Sequence, residues 1–332
     1  MTTLALLGCA HIHTPGFVRA LQRRQGDLRV KWVHDHDLVR ATRWAAEFPD
    51  GMVGPDLEAI LSDDDVDAVV VCTETDRHAD VVLPAAAAGK DLFVEKPLGF
   101  RSDDAFTMAD AVEAAGVRFQ TGYFMRGDGK VRWLRDRVRE GAFGKITRVR
   151  ASNCHSGALG GWFDGEWRWM ADPTVSGCGG FGDLGTHVLD LLLGMFGDVA
   201  TGTASIDNGT ARYPGCDETG EGLLRFRSGT IATLAAGWDD LADPVGLTIS
   251  GTALHATIVD GSLRVVREPD GPVEVVEGLV SVPAGFEAFL DAVTGVGAPE
   301  LVGVREAAYR GAVMEALYAG SASGTWTTPR TA

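Results

Sequence analysis

Residues 66–100 read VDAVVVCTETDRHADVVLPAAAAGKDLFVEKPLGF, and this stretch contains one complete strand–helix–strand unit. The β-branched run Val66–Cys72 predicts a strand that is buried on both faces. Ala79–Ala88 has the composition of a helix and stops at Gly89, a residue that commonly ends helices. Leu92–Glu95 predicts the next strand. Because a helical connection of this kind joins parallel strands, the stretch predicts a parallel sheet covered by helices.

The sequence on both sides continues the alternation of strands and helices. The further predicted elements are the strand Leu4–Leu7, a helix that begins at Thr14-Pro15, the strand Leu28–Val33, the helix Leu38–Phe48, the helix Asp103–Ala115 and the strand Arg118–Thr121. Such an order implies a right-handed, mostly parallel sheet. We therefore predict an α/β protein in which residues 1–122 form a Rossmann dinucleotide-binding domain.

Beyond Tyr123 the pattern changes to a helix followed by many strands. The predicted elements are the helix Gly129–Glu140, the strands Ile146–Cys154, Val199–Ile206, Glu221–Phe226, Thr230–Ala236, Val245–Ser250 and Ala256–Val259, and the helix Val304–Ala319. Close turns such as Arg227–Gly229 favour antiparallel pairing. We predict that residues 123–332 form an α+β domain with an open, mostly antiparallel sheet, and that Gly320 begins a terminal extension with a small final strand.

The composition excludes several classes of protein. The 332 residues suffice for two domains, and the formal charge of −16 argues against nucleic acid and anionic membranes as partners. The 5 cysteines are scattered, without a Cys-x-x-Cys pair, which indicates neither a disulfide framework nor a zinc knuckle and favours a reducing cytoplasm. No apolar run approaches the ~20 residues that cross a bilayer.

Lys96 is the first candidate for chemistry. It follows a strand directly and precedes Pro97, so its ammonium is expected at the carboxyl edge of the parallel sheet, where such folds bind ligands. A surface lysine at a strand end is the ordinary alternative. We predict an inward-facing Lys96, with a cis Lys96-Pro97 peptide as a hypothesis.

Asp183 and His187 are the second candidates, because residues four apart lie on one face of a helix. The glycines around them, at positions 179, 180, 182 and 185, suggest a surface that a flat ring and a small substrate can approach. Asp190, one turn further on, is predicted to have a structural role. Lys96, Asp183 and His187 together supply a cation, an acid and a base.

The first turn fits the dinucleotide fingerprint in part, with Gly8 at the first glycine position, Ala10 at the second and His13 at the third. The His11-x-His13 pair could instead suggest a metal, but two histidines are too few ligands and we predict none. Asp35 ends the second strand, where a carboxylate accepts from ribose hydroxyls and repels a 2′-phosphate, so NAD is favoured over NADP. The predicted cofactor-binding residues are Gly8, Ala10, His11, His13, Asp35, Thr73, Glu95 and Lys96.

Glu95-Lys96-Pro97, together with Gly179–His187 (GGFGDLGTH), resembles the glucose-fructose oxidoreductase, inositol dehydrogenase and rhizopine-catabolism family (Gfo/Idh/MocA). The resemblance covers nearly the whole chain. It implies a Rossmann domain, a second domain that usually mediates dimers or tetramers, and an active site between them. It also implies catalytic or substrate-binding roles for Lys96, Asp183 and His187. Two departures are Glu74, where many relatives carry proline, and the two missing glycines of the first turn.

The function that this resemblance implies is NAD-dependent hydride transfer from a secondary alcohol of a sugar, polyol or cyclitol. His187, with a usual pKa of ~6.5, would take the hydroxyl proton, Lys96 would stabilise the alkoxide, and Asp183 would hold a neighbouring hydroxyl or steady the histidine. The residues predicted to recognise the substrate are Tyr123, Arg126, His155, Trp162, Trp167 and Arg168. The alternatives are an NAD-dependent glycoside hydrolase that oxidises its sugar transiently and a non-catalytic NAD or sugar sensor.

Overall fold

A computed structural model describes residues 1–99, 101–242 and 246–331. The first sheet has six strands, all parallel, in the order β3-β2-β1-β4-β5-β6. Its strands are β1 (Thr2–Leu7), β2 (Leu28–His34), β3 (Met52–Val53), β4 (Ala68–Val71), β5 (Asp91–Val94) and β6 (Phe119–Thr121). The strand order reverses between β1 and β4, and this is the point where open α/β sheets bind their ligands.

Helices connect these strands. Four of them are predicted by the alternating sequence, whereas the short helix between β3 and β4, like β3 itself, is not. The helices are α1 (Thr14–Arg23), α2 (Leu38–Ala45), α3 (Leu57–Leu61), α4 (His78–Ala87) and α5 (Ser102–Ala115). Every side chain of β4 is buried, in agreement with its unbroken apolar sequence. The prediction of a Rossmann-type parallel sheet is confirmed.

The second sheet has eight strands in the order β14-β13-β12-β11-β7-β10-β9-β8. The strands are β7 (Ile146–Cys154), β8 (Val199–Asp207), β9 (Thr219–Phe226), β10 (Ile231–Gly237), β11 (Gly246–Gly251), β12 (His255–Val259), β13 (Ser262–Val266) and β14 (Glu274–Val275). All neighbouring strands are antiparallel except β7 and β10, which run parallel. Val245, the predicted start of one strand, lies outside the described residues.

The remaining helices are α6 (Gly129–Arg139), α7 (Pro173–Ser176), α8 (Gly180–Phe196), α9 (Phe286–Thr294) and α10 (Val304–Ser323). Helix α8 packs against β7, β9 and β10 and is buried over most of its length. Helix α9 returns to the first sheet, where Phe286 and Phe289 pack with Phe93. Over the residues that the structure describes, no helix combines the length and apolarity that a membrane crossing requires.

The prediction that the last helix ends at Ala319 is wrong, because α10 continues through Gly320 to Ser323. A Cβ on Gly320 would lie 2.9 Å from the Cα of Thr203 on β8, so this glycine permits a close approach of helix and strand. Gly324, with φ of 67°, ends the helix. The terminal segment then forms a single bridge between Thr327 and Gly202.

Candidate active site

Lys96 lies two residues beyond β5 and is buried, as the sequence predicts. Its Nζ atom donates to Asp183 Oδ1 at 2.5 Å and to the Asp183 carbonyl oxygen at 3.3 Å. Burial alone would lower the pKa of Lys96, but the carboxylates of Asp183 and Glu95 raise it above its ordinary value. The Lys96-Pro97 peptide is cis, as hypothesised. Lys96 is therefore a buried cation, and its hydrogen-bond partner Asp183 lies on a different element, helix α8.

Asp183 occupies the first turn of α8, which orients its carboxylate toward Lys96. Its second oxygen, Oδ2, accepts a hydrogen bond from the indole Nε1 of Trp238 at 3.0 Å. Burial would raise the pKa of Asp183, but the Lys96 ammonium outweighs it and lowers the pKa below the ordinary range. Asp183 is thus an ionised carboxylate that Lys96 and Trp238 hold in place. Its hydrogen bond with Lys96 also fixes the position of the ammonium.

His187 lies one helical turn after Asp183, and both line one cavity of about 1110 Å³ together with Lys96. Its ring contacts Phe124, with ring centroids 5.2 Å apart. Its Nδ1 is buried and has no hydrogen-bond partner among the described residues. Burial and then the Lys96 ammonium lower the pKa of His187 to about 3. The ordinary pKa expected from sequence is wrong for this reason, and the imidazole is neutral at physiological pH.

The glycines around α8 pack against protein, which corrects their predicted role in substrate approach. A Cβ on Gly179 would lie 2.2 Å from the Asp217 carbonyl oxygen, and one on Gly180 would lie 2.4 Å from that of Glu218. A Cβ on Gly182 would lie 2.4 Å from the Cβ of Cys178. The glycines therefore let the start of α8 lie directly on the neighbouring chain, which fixes the position of Asp183 and His187.

The N-terminus of α8 has no side-chain cap of its own, since its N-cap residue is Gly179. The carboxylate of Asp217 takes this role and accepts from the N–H groups of Gly179 at 3.0 Å and Phe181 at 2.9 Å. Tyr318 on α10 donates its hydroxyl to the same carboxylate at 3.0 Å. Asp217 caps the backbone N–H groups at the start of α8, and Tyr318 supports that carboxylate. Both residues are distant in sequence from this end of the helix, which carries Asp183.

The first turn, after β1, is as tight as the fingerprint requires. Gly8 has φ of 79°, and a Cβ there would lie within 2.6 Å of Thr73. The N–H groups of Ala10 and His11 donate to the Cys72 carbonyl oxygen at 3.0 and 3.1 Å, so these amides already have partners. Helix α1 begins at Thr14, and its N-cap residue is His13.

Both histidines of the first turn face Glu95, the residue before Lys96. His13 Nδ1 lies 2.8 Å from Glu95 Oε1, and His11 Nδ1 lies 3.8 Å from the same oxygen. His13 lines the large cavity, whereas His11 is buried and its pKa is lowered to about 3, chiefly by burial. Burial raises the pKa of Glu95, but the two histidines lower it below the ordinary range. Glu95 is a buried, ionised carboxylate.

Asp35 lies after β2, as predicted, and both its oxygens have partners. Oδ2 accepts from the Cys9 N–H at 2.7 Å, and the Arg40 guanidinium donates to both oxygens at 2.8 and 3.0 Å. Arg40 also donates to Glu74 at 3.1 Å, and Thr73 donates its hydroxyl to Glu74 at 2.9 Å. The two carboxylates therefore share one arginine at this edge of the sheet.

Of the residues predicted to recognise the substrate, the structure places some in the wall of the large cavity and others away from it. His155 and Trp162 line the large cavity, with ring centroids 4.6 Å apart. Tyr123 and Arg168 are not among its lining residues. Tyr123 is buried with its hydroxyl 2.9 Å from Thr186 Oγ1, and Arg168 donates to the Ala171 carbonyl oxygen at 2.6 Å.

The other two predicted recognition residues, Arg126 and Trp167, are partly buried and do not line this cavity. Arg126 forms two 2.6 Å hydrogen bonds to Asp190, which also pairs with Arg310. This network agrees with the structural role predicted for Asp190. Trp167 packs against the core of the second sheet.

Sequence reasoning missed three further residues of the site. Trp238 holds Asp183, Phe124 packs on His187, and Asn153 donates its amide to the Leu184 carbonyl oxygen at 3.1 Å. Trp238 directly follows β10 and Asn153 lies on β7, two strands that pair in parallel across a long separation in sequence. No local pattern marks such residues, because their contacts depend on strand order.

The fold and site define a class of protein. A parallel sheet with a glycine turn at its switch point and an acidic residue after β2 fits a dinucleotide, and the adjoining cavity holds an ammonium, a carboxylate and an imidazole. This combination is typical of dinucleotide-dependent oxidoreductases.

Comparisons with known proteins identify the family. Residues 2–123 match the family described as "Oxidoreductase family, NAD-binding Rossmann fold", and residues 131–256 match the "GFO/IDH/MocA C-terminal domain". The chain belongs to the Gfo/Idh/MocA oxidoreductase family, and the predictions of this family, of an oxidoreductase and of NAD as its cofactor are confirmed.

Individual relatives agree with this assignment. The 1,5-anhydro-D-fructose reductase of Ensifer adhaerens is 26% identical over 314 residues, which cover 91% of each chain. The inositol 2-dehydrogenase of Acidothermus cellulolyticus is 40% identical over 113 residues, 34% of this chain and 33% of that protein. The structure of a levoglucosan dehydrogenase in complex with NADH and levoglucosan superposes with a TM-score of 0.85 at 19% identity, covering 99% of this chain and 100% of the other, and shows the same fold.

Proposed function

We propose that this protein transfers a hydride between NAD and a secondary alcohol of a sugar, polyol or cyclitol. The observation that carries the proposal is the convergence of Lys96, Asp183 and His187 on one cavity beside the carboxyl edge of the Rossmann sheet. The names of the relatives support the substrate class, since they include an anhydro-sugar reductase and an inositol dehydrogenase.

In this proposal His187 and Lys96 act on the same substrate oxygen. His187 takes the hydroxyl proton at Nε2, and the Lys96 ammonium stabilises the negative charge that develops on the oxygen. Asp183 keeps Lys96 in place, because it contacts the lysine and Trp238 rather than the histidine. A base with a pKa near 3 accepts a proton weakly, so charge stabilisation by Lys96 has to accompany the transfer.

The residues around the first turn fit a bound dinucleotide. NAD, when bound, supplies the acceptor for the hydride. We propose that Gly8, Ala10, His11 and His13 contact it along the first turn, that Asp35 faces its ribose, and that Thr73, Glu95 and Lys96 complete the crevice. The tight turn at Gly8 against Thr73 and the buried carboxylate at the end of β2 support these assignments.

Substrate recognition is proposed for the aromatic wall of the cavity. His155 and Trp162 form a tilted ring pair there, and Trp162 is half-exposed, so its ring can cover the apolar face of a sugar. Tyr123 and Arg168 would act indirectly. Tyr123 supports the helix that carries His187, and Arg168 fixes the loop that precedes α7.

The test is a panel of sugars and polyols assayed with NAD and with NADP, with NADH followed by absorbance. We expect turnover with NAD in the wild type, and a loss of roughly 10²-fold or more in kcat in Lys96→Met and in His187→Asn. Lys31→Met, which removes a lysine on β2 that pairs with Asp63, is the matched control and should retain activity. NADH binding, followed by fluorescence, should persist in His187→Asn and in Lys31→Met.

The two alternatives predict different results in the same assay. An NAD-dependent glycoside hydrolase would convert glycosides without accumulating NADH. A sensor would bind NADH and show no turnover that depends on Lys96 or His187. Unchanged kcat in both active-site variants would contradict the proposed roles.

We also propose the coarse organisation predicted from the sequence: a dinucleotide unit over residues 1–122, a substrate and assembly unit over 123–332, a homodimer or homotetramer, and a reducing cytoplasm. The cysteines Cys9, Cys72, Cys154, Cys178 and Cys216 are all free thiols, which suits the last point. Light scattering of the purified protein measures the assembly, and a monomeric mass would contradict it.

A further inference from the structure

One ring nitrogen of His187, the buried Nδ1, has no hydrogen-bond partner in the part of the chain that the structure describes. A histidine that accepts a proton from a substrate is usually oriented by a hydrogen bond on its other ring nitrogen, which also fixes the tautomer. Asp183 lies one helical turn earlier, but its two oxygens bond to Lys96 and Trp238. The orientation of the imidazole therefore depends on packing contacts.

Two consecutive aromatic residues after β6 provide these contacts. The ring centroids of Tyr123 and Phe124 lie 6.0 and 5.2 Å from that of His187. Tyr123 is fully buried and meets the imidazole edge to face. Phe124 is exposed and lines the large cavity. The imidazole thus has one aromatic neighbour in the protein interior and one on the side of the cavity.

Both aromatic residues are themselves held by neighbouring segments. The Tyr123 hydroxyl lies 2.9 Å from the Oγ1 atom of Thr186 on α8. Gly285, the N-cap of α9, has φ of 56°, and a Cβ there would lie 3.2 Å from the Cβ of Phe124. The start of α9 therefore packs directly against Phe124 and limits where its ring can go.

Phe124 also covers the imidazole against water. Burial is the largest cause of the lowered pKa of His187, which is about 3. The charged groups that act on this pKa are Lys96 and His13, which lower it, and Asp183 and Glu95, which raise it. None of these four belongs to the connection between β6 and α6. The contribution of Phe124 is therefore coverage of the ring and not charge.

We propose that Phe124 is a positioning residue, which holds the His187 imidazole in place and shields it from water during proton transfer. The inference rests on the proposed function, which makes His187 the base. A ring that rotates freely directs its accepting nitrogen at the substrate oxygen for only part of the time. Misplacement of a reacting group by about 1 Å can lower a rate roughly 10²-fold.

The experiment compares Phe124→Ala with Phe124→Tyr, which keeps the aromatic ring. With the sugar or polyol that the wild type oxidises best, Phe124→Ala should lower kcat by roughly 10- to 100-fold and change KM less. Phe124→Tyr should have a kcat close to that of the wild type. Trp326→Ala is the matched control, because it removes an aromatic side chain that is 43% exposed and does not line the cavity.

Histidine NMR gives a second readout, which does not depend on turnover. In Phe124→Ala water reaches the imidazole while Lys96 remains, so we expect the pKa of His187 to rise above 3 and stay below 6.5. Phe124→Tyr and Trp326→Ala should keep the midpoint of the wild type. Loss of the resonance in His187→Gln assigns it.

Phe124 is 57% exposed, so its truncation is expected to leave the fold intact, which circular dichroism checks. An unchanged His187 midpoint in Phe124→Ala would overturn the inference, and so would a wild-type kcat in that variant. A wild type without any turnover would instead contradict the proposed function. In that case the midpoint alone would decide whether Phe124 shields His187.

Discussion

The pair Lys96 and His187 makes a prediction at the scale of single residues. Burial and the Lys96 ammonium together hold the pKa of His187 at about 3 instead of 6.5. In Lys96→Met the cation is gone and burial remains, so we expect the pKa of His187 to rise above 3 and stay below 6.5. At a pH between 3 and 6.5, a larger fraction of the His187 rings is therefore protonated in the variant than in the wild type. Histidine NMR over about pH 2–7.5 covers the midpoints of both the wild type and the variant.

The resonance of His187 is assigned by its loss in His187→Gln. Lys31→Met serves as the control. It removes a lysine on β2 that pairs with Asp63 and does not contribute to the lowered pKa of His187. A midpoint that is identical in Lys96→Met and wild type would mean that burial alone sets the pKa of His187.

Residues whose role depends on a local position could be predicted from the sequence. Lys96 follows a strand, and Asp183 and His187 are one helical turn apart, so short spacings suffice to place them. Trp238 and Asp217 could not be found in this way, because their contacts to α8 depend on strands distant in sequence. The pKa of His187 also depends on burial, which the sequence does not give.

Helix α8 makes a prediction at the scale of an element, because its glycines differ in their surroundings. A Cβ on Gly180 would lie 2.4 Å from the Glu218 carbonyl oxygen, whereas one on Gly194 would meet nothing within 4 Å. We expect Gly180→Ala to lower the free energy of unfolding by about 1–3 kcal/mol. Gly194→Ala, in the same helix, should raise it by up to ~1 kcal/mol through helix propensity. Urea denaturation measures both, and a stabilising Gly180→Ala would contradict the close packing.

The sequence predicts elements that have a strong periodic pattern. It does not predict features that depend on pairing or packing between segments distant in sequence. The buried strand β4 and the helices α1, α2, α4 and α5 follow from apolar runs, helix-start signals and glycine stops, whereas the five-residue helix α3 does not. The parallel pairing of β7 with β10 does not follow from the sequence, because the close turns in that region indicate only antiparallel neighbours. The sequence predicts a helix end before Gly320, whereas this glycine lies inside α10 and permits the close approach of that helix to β8.

At the scale of the whole molecule, the C-terminal helices connect the two sheets. Phe289 of α9 is fully buried in the core that contains Phe93 of β5. Helix α10 begins in the core on the other face of the first sheet with Val304 and continues into the core of the second sheet with Leu317. A continuous helix that belongs to two cores couples them, because neither core can lose its part of the helix without affecting the other.

We therefore expect one cooperative unfolding transition in calorimetry for the whole chain. Phe289→Ala and Leu317→Ala remove buried side chains from different cores, and each should destabilise that single transition by roughly 2–5 kcal/mol. Leu241→Ala removes a side chain that is 96% exposed and should leave the transition unchanged. Two separate transitions, with each core variant shifting only one of them, would show that the sheets unfold independently and that α10 does not transmit stability between them.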